Sequence, residues 1–141
     1  MGTSSSKNTG TYQSLGTRVM KQADFSAAPE LWEYYNSFPR VLKAAAVVLR
    51  DPETRAGQAA ALYAAVYQGL MKLSKPATVD AIVADKTRQP LLCGLVWGLW
   101  ARYFQVLAHL QPVVPEGAAR SNLALIRQAA APQLLRLQTC A

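Results

Sequence analysis

The sequence is poor in charge. Asp, Glu, Lys and Arg make up 16% of its 141 residues, while 51% are hydrophobic. Ordinary soluble domains carry about 25% charged residues. A surface this thinly charged fits a protein partly covered by lipid or by other chains, although abundant alanine contributes to the shortfall. Cysteine is scarce too. Cys93 and Cys140 are the only two, which is too few for a disulfide framework, and no N-x-S/T sequon is present. A reducing interior is expected, and secretion is not. No apolar stretch of signal-peptide type follows the start. His109 is the single histidine, so no His–His or His–Cys ligand set exists and no bound metal is expected. The chain also lacks the G-x-S-x-G elbow, the phosphate-binding G-x-x-x-x-G-K-[ST] loop and the G-x-G-x-x-G fingerprint. Glu30 and Glu33 share a helix face, but near a helix start they most simply complement its dipole. Neither catalysis nor a cofactor is expected.

Acidic residues are missing from both ends. The net charge is +7. Residues 1–23 contain Lys7, Arg18 and Lys21 with no acid, and residues 117–141 contain Arg120, Arg127 and Arg136 with no acid. The middle is close to neutral. Basic ends on a neutral body suit anionic headgroups or acidic partner surfaces. Nucleic acid is not an expected partner, because there is no Lys/Arg cluster, no basic helix face and no aromatic RNA-binding signature.

No segment shows the period-2 alternation of a strand, and the expected fold class is all-α. Residues 1–22, rich in Ser, Thr and Gly, read as a basic arm. A helical body covers 23–111, and a Pro-flanked basic amphipathic segment covers 112–141. Within the body, a first helix is expected from a cap at Ser26, carrying Leu31, Trp32, Tyr34 and Tyr35 and ending at Pro39. A second helix runs from Pro39 to Arg50. Asp51-Pro52-Glu53 supplies a cap, a first-turn proline and a first-turn acid for a helix to about Ser74. On that helix Gly57, Ala61, Ala65 and Gly69 recur every four residues, a small-residue row that admits a second backbone. A short helix over 78–86 follows. In the C-terminal segment a helix is expected over 118–131, with Pro132 interrupting it before a last amphipathic turn.

The most informative stretch is Pro90 to Gln111. Its length of helix rises about 30 Å, roughly the hydrocarbon thickness of a bilayer. The several short helices are expected to gather around this one long apolar helix, which is read as a membrane-embedded or interface helix. Gly94, Gly98, Arg102, Gln105 and His109 step by four, four, three and four, and so share one face. That face begins with G-x-x-x-G and ends in polar groups, while Leu95, Val96, Leu99, Tyr103 and Leu107 point mostly elsewhere. Arg102 then faces a carboxylate, a headgroup or a neighbouring subunit. In a soluble core it reaches water instead.

The first seven residues match the N-myristoylation pattern M-G-x-x-x-[ST], with Gly2 as acceptor, Ser6 in place and Lys7 following. One acyl chain anchors marginally and needs a second signal, here Lys7, Arg18 and Lys21. The same residues also resemble a mitochondrial targeting segment. Three functional readings result. The first is an accessory or structural subunit of a membrane-associated assembly, with protein subunits and membrane lipid as partners. A mitochondrial energy-transducing complex of the inner membrane is favoured for it. The second is an N-myristoylated peripheral adaptor or matrix-like helical protein on the cytoplasmic face of a membrane. The third is a soluble helical interaction module.

Overall fold

In the computed structural model, residues 20–115 and 122–141 are described, and they form an all-α bundle. The five helices are α1 (Leu31–Arg50), α2 (Ala56–Leu73), α3 (Pro76–Ala84), α4 (Gln89–Leu110) and α5 (Leu123–Cys140). Short 3₁₀ turns at Gln22–Phe25 and Gln111–Val113 precede α1 and follow α4. The long apolar helix is the axis of the bundle, and α1, α2, α3 and α5 all pack on it. Leu92, Val96, Leu99, Tyr103, Leu107 and Leu110 are buried along it. By length and composition Gln89–Val113 is one helix able to cross a membrane, and half of its most apolar window is enclosed by the chain's own helices.

The structure corrects several expected boundaries. Pro39 does not end a helix; α1 runs through it to Arg50. A proline inside a helix loses one backbone bond and costs about 3 kcal/mol. Burial on both sides offsets that cost. Leu31 lies before it and Ala45 and Val48 after it, all buried, and the Phe38 ring packs 5.1 Å from Tyr103. Pro132 likewise lies inside α5, between buried Ile126, Ala130 and buried Leu137. Ser26 is not the N-cap of α1; it closes the 3₁₀ turn, its N–H donating to the Ala23 carbonyl at 3.3 Å. The chain turns through 25–30 because Phe25 and Ala28 are themselves buried, and α1 starts only at Leu31.

Asp51 is not the N-cap of α2 either; it is the C-cap of α1, its N–H donating to the Val48 carbonyl at 3.3 Å. Its Oδ1 accepts from Thr54 Oγ1 at 2.8 Å instead of from backbone, and α2 begins at Ala56. Conversely, Asn122 is a true cap that the sequence reading passed over. Its Oδ1 accepts from the backbone N–H of Ala124 at 2.9 Å and of Leu125 at 3.3 Å, which starts α5 at Leu123 instead of near Ala118.

The N-terminal turn is sewn to α1. Phe25, Trp32 and Tyr35 form an aromatic triangle with centroids 5.6–5.7 Å apart, and the Met20 N–H donates to the Tyr35 hydroxyl at 3.2 Å. Lys21 N–H donates to Asp24 Oδ2 at 2.8 Å, which closes the 3₁₀ turn. Met20 is buried, so the folded body begins no later than this residue. The basic arm before it, and with it Gly2, lies outside the described residues.

Candidate functional site

One face of α4 is turned to the core, and the expected polar face is the outward one. Arg102, Gln105 and His109 are exposed. His109 Nδ1 sits 2.9 Å from the Gln105 carbonyl and, as N–H, donates to it, so the imidazole serves its own helix. A methyl group added at Gly98 meets nothing within 4 Å, and one at Gly94 would touch the Ala141 Cβ at 3.5 Å. Among the described residues Gly98 is therefore open, while Gly94 is covered by Ala141. Trp97 continues this outward strip, 41% exposed.

The small-residue row on α2 is divided between two environments. Gly57, Ala61 and Ala65 are exposed. Gly69 is buried, and a Cβ there would stand 3.3 Å from Tyr34 and 3.4 Å from Tyr103. The close approach expected of the row occurs within the chain at its last member, between α2 and the rings of α1 and α4. Tyr103 is the centre of that contact. Its hydroxyl donates to the Tyr34 carbonyl at 2.7 Å, and its ring meets Tyr34 edge-on. Burial pushes the Tyr103 pKa above 10.0, because a phenolate there would lose its water.

Two features absent from the sequence reading appear between α4 and α5. The Arg127 guanidinium lies 4.7 Å over the Phe104 ring, and Phe104 stacks on Trp100 at 5.1 Å. This three-layer stack joins the two helices through cation–π and offset-ring attraction. Trp100 also lines an apolar groove of about 670 Å³ between α2, the start of α3 and α5, with Met71, Ile126 and Ala130 in its walls and Lys72 and Lys75 at its edge. Trp100 Nε1 is a buried donor with no hydrogen-bond partner among the described residues. The groove has the size and chemistry to accept an apolar side chain or a short acyl chain.

The outer side of α1 is apolar with a basic border. Leu42 is 48% exposed, and Val47 and Leu49 are each 37% exposed. Leu42, Ala46 and Leu49 follow i, i+4, i+7 spacing and so form one stripe. Arg40, Lys43 and Arg50 flank it, and no acid occurs from Tyr34 to Arg50. On α5, Leu125 and Leu135 are exposed as well, and Arg136 reaches α3, with its Nη2 2.7 Å from Asp80 Oδ1. Both partners of that pair are in water, so it adds little stability.

The two thiols meet at the C-terminal end of α5. Cys93 is fully buried on α4 and is pushed up to about 12, first by burial and then by its hydrogen bond with Cys140, against a smaller lowering by Arg136. Among the described residues no group of three or more His, Cys, Asp or Glu could hold a metal ion. No protein-family model matches the chain, and neither a curated protein nor a solved structure matches it.

Proposed function

We propose that the chain is a non-catalytic accessory subunit, a helical bundle that completes its surface against other protein subunits of a membrane-associated assembly. The observation that carries this reading is the outer side of α1. That helix rests on the bundle through Ala45 and Val48 in its second half and turns Leu42, Val47 and Leu49 outward within a basic border. Such a stripe suits a partner helix whose own apolar face is rimmed with acid. The outward strip of α4, with Trp97, Gly98 and Arg102, and the open members Gly57, Ala61 and Ala65 of α2 are further surfaces against which a second backbone fits. The thin overall charge and the basic, acid-free ends support a setting beside anionic lipid. A mitochondrial energy-transducing complex is the class of assembly we favour.

A peripheral placement is better supported than a membrane-spanning α4. The four helices around α4 would otherwise bring Arg40, Lys43, Arg127 and Arg136 to membrane depth, where each charge costs several kcal/mol.

The test uses the native full-length chain and a Leu42→Glu/Leu49→Glu variant expressed in its place. Both are followed by native electrophoresis and by carbonate extraction of membranes. The expected result is wild-type chain in a larger assembly, released by carbonate, and variant chain running as a free subunit with unchanged helical circular dichroism. Wild-type chain that itself migrates as a free 15.3 kDa monomer in the soluble fraction overturns the proposal.

A further inference from the structure

The only two cysteines of the sequence are 47 positions apart, and the fold brings them together. α4 and α5 run antiparallel: Arg127 lies over Phe104, and Ala141 lies beside Gly94. In that register Cys93 and Cys140, each one residue before the contacting pair Gly94 and Ala141, are brought side by side. Cys93 is completely buried and Cys140 is half-buried at the last position of α5. Cys140 packs at the edge of the core. Buried Ile126, Ala130 and Leu137 already seat the helix.

We propose that Cys93 and Cys140 are an oxidation site, a thiol pair that a peroxide closes into an intramolecular disulfide, latching the end of α5 to α4. Accessibility sets the order of events. The outer thiol reacts first. The Cys140 thiolate attacks one peroxide oxygen, the O–O bond breaks, and Cys140 becomes a sulfenic acid as one water or alcohol leaves. The Cys93 sulfur then attacks the Cys140 sulfur. The S–S bond forms, the S–O bond breaks, and the hydroxyl departs as water with the Cys93 proton. Overall two thiols are oxidised by two electrons and one peroxide is reduced to two hydroxyl products. Cys93 is a poor first nucleophile because its thiolate is disfavoured by burial, and in the closed bundle Cys140 is the sulfur that can reach it. Reduction by a dithiol reverses the step.

The consequence falls on α5. This helix is seated by buried Ile126, Ala130 and Leu137, by the Arg127–Phe104 stack and by an exposed ion pair, and a disulfide would add a covalent tie at its last turn. Closing the pair makes the docking of α5 permanent under oxidising conditions and leaves it reversible under reducing ones.

The experiment treats reduced, monomeric full-length chain with hydrogen peroxide at low protein concentration. It reads the linkage by non-reducing peptide mapping and the stability by thermal melting, with Cys140→Ser alongside. The expected outcome is a monomer lacking two hydrogens, a single cross-linked peptide joining Cys93 to Cys140, and a melting temperature raised by about 10 °C that returns on reduction. Cys140→Ser should melt like the reduced wild type, with no shift on peroxide. Cys140 that stops at sulfinic acid, or that forms only dimers while Cys93 remains free to alkylate after unfolding, overturns the proposal. Cys140 is half-buried in the last turn of α5, and wild-type mapping decides the question without any variant.

Discussion

Three substitutions on α4 distinguish its core side from its outward side. Leu107 is completely buried, Trp97 is 41% exposed, and Gly98 has open space where a Cβ would go. Leu107→Ala removes three carbon atoms from a site enclosed by packed neighbours. The lost transfer energy and the residual cavity together cost about 2–5 kcal/mol. That is a large fraction of the roughly 5–15 kcal/mol holding an ordinary domain together. Gly98→Ala does the reverse. It adds no contact, removes backbone freedom from the unfolded chain and raises helix propensity, for a gain of about 0.5–1 kcal/mol. Trp97→Ala gives up only part of its contact area and falls between the two.

Urea unfolding followed by far-ultraviolet circular dichroism in detergent-free buffer measures all three. The Leu107→Ala midpoint should drop by about 1–2 M and the Gly98→Ala midpoint should rise. The reasoning fails if Gly98→Ala destabilises more than Leu107→Ala. That order would mean that the glycine face, not the leucine face, is packed in the folded chain.

Two further predictions concern the contact around Tyr103. Gly69→Ala forces a Cβ to 3.3 Å from Tyr34 and 3.4 Å from Tyr103; Tyr103 cannot yield, since it is buried and hydrogen-bonded to α1. A net loss of about 1 kcal/mol is expected despite the better helix propensity of alanine, while Gly57→Ala, with nothing within 4 Å, should gain about 0.5–1 kcal/mol; paired urea midpoints check both signs. The second prediction is alkaline loss of stability. Tyr103 is raised above 10.0 and Cys93 from 9.0 to about 12 in the folded state, so the folded chain holds these protons after the unfolded chain has released them. Their stabilisation is complete below about pH 9 and falls as pH rises through that window. Tyr103→Phe should cost about 1 kcal/mol at neutral pH by deleting one hydrogen bond and should flatten the fall above pH 10; an unchanged slope in urea midpoints from about pH 8 to about pH 11 contradicts the assignment.

The helices were legible wherever a single periodic pattern ran without competition. α4 is the clearest case: Pro90 near its start and Pro112 after its end bracket an apolar run, and the structure places the helix at Gln89–Leu110. Boundaries went wrong where local signals competed with burial elsewhere. Asp51-Pro52-Glu53 has a helix-start composition, yet Asp51 spends its side chain on Thr54. Pro39 and Pro132 are helix breakers by local chemistry, and each is overruled by apolar anchors on both sides. The candidate surface was partly legible. Gly94, Gly98, Arg102, Gln105 and His109 do share a face of α4, because helical geometry alone requires it. The stack of Arg127 on Phe104 and Trp100, the groove beside it and the meeting of Cys93 with Cys140 join residues far apart in sequence, and no local spacing encodes them.

By itself, then, the amino-acid sequence determined an all-α chain with one dominant apolar helix and the angular order of residues around it. Those follow from a 3.6-residue period and from which side chains avoid water. Tertiary structure decided what that helix faces. Its leucine, valine and tyrosine side is satisfied by α1, α2, α3 and α5, the side carrying Gly98 and Arg102 is turned outward, and the apolar stripe of Leu42 and Leu49 is exposed. The reason is that hydrophobic burial is non-directional. Periodicity marks which face must leave water, and only the packing of the whole chain says whether its own helices or another molecule cover it.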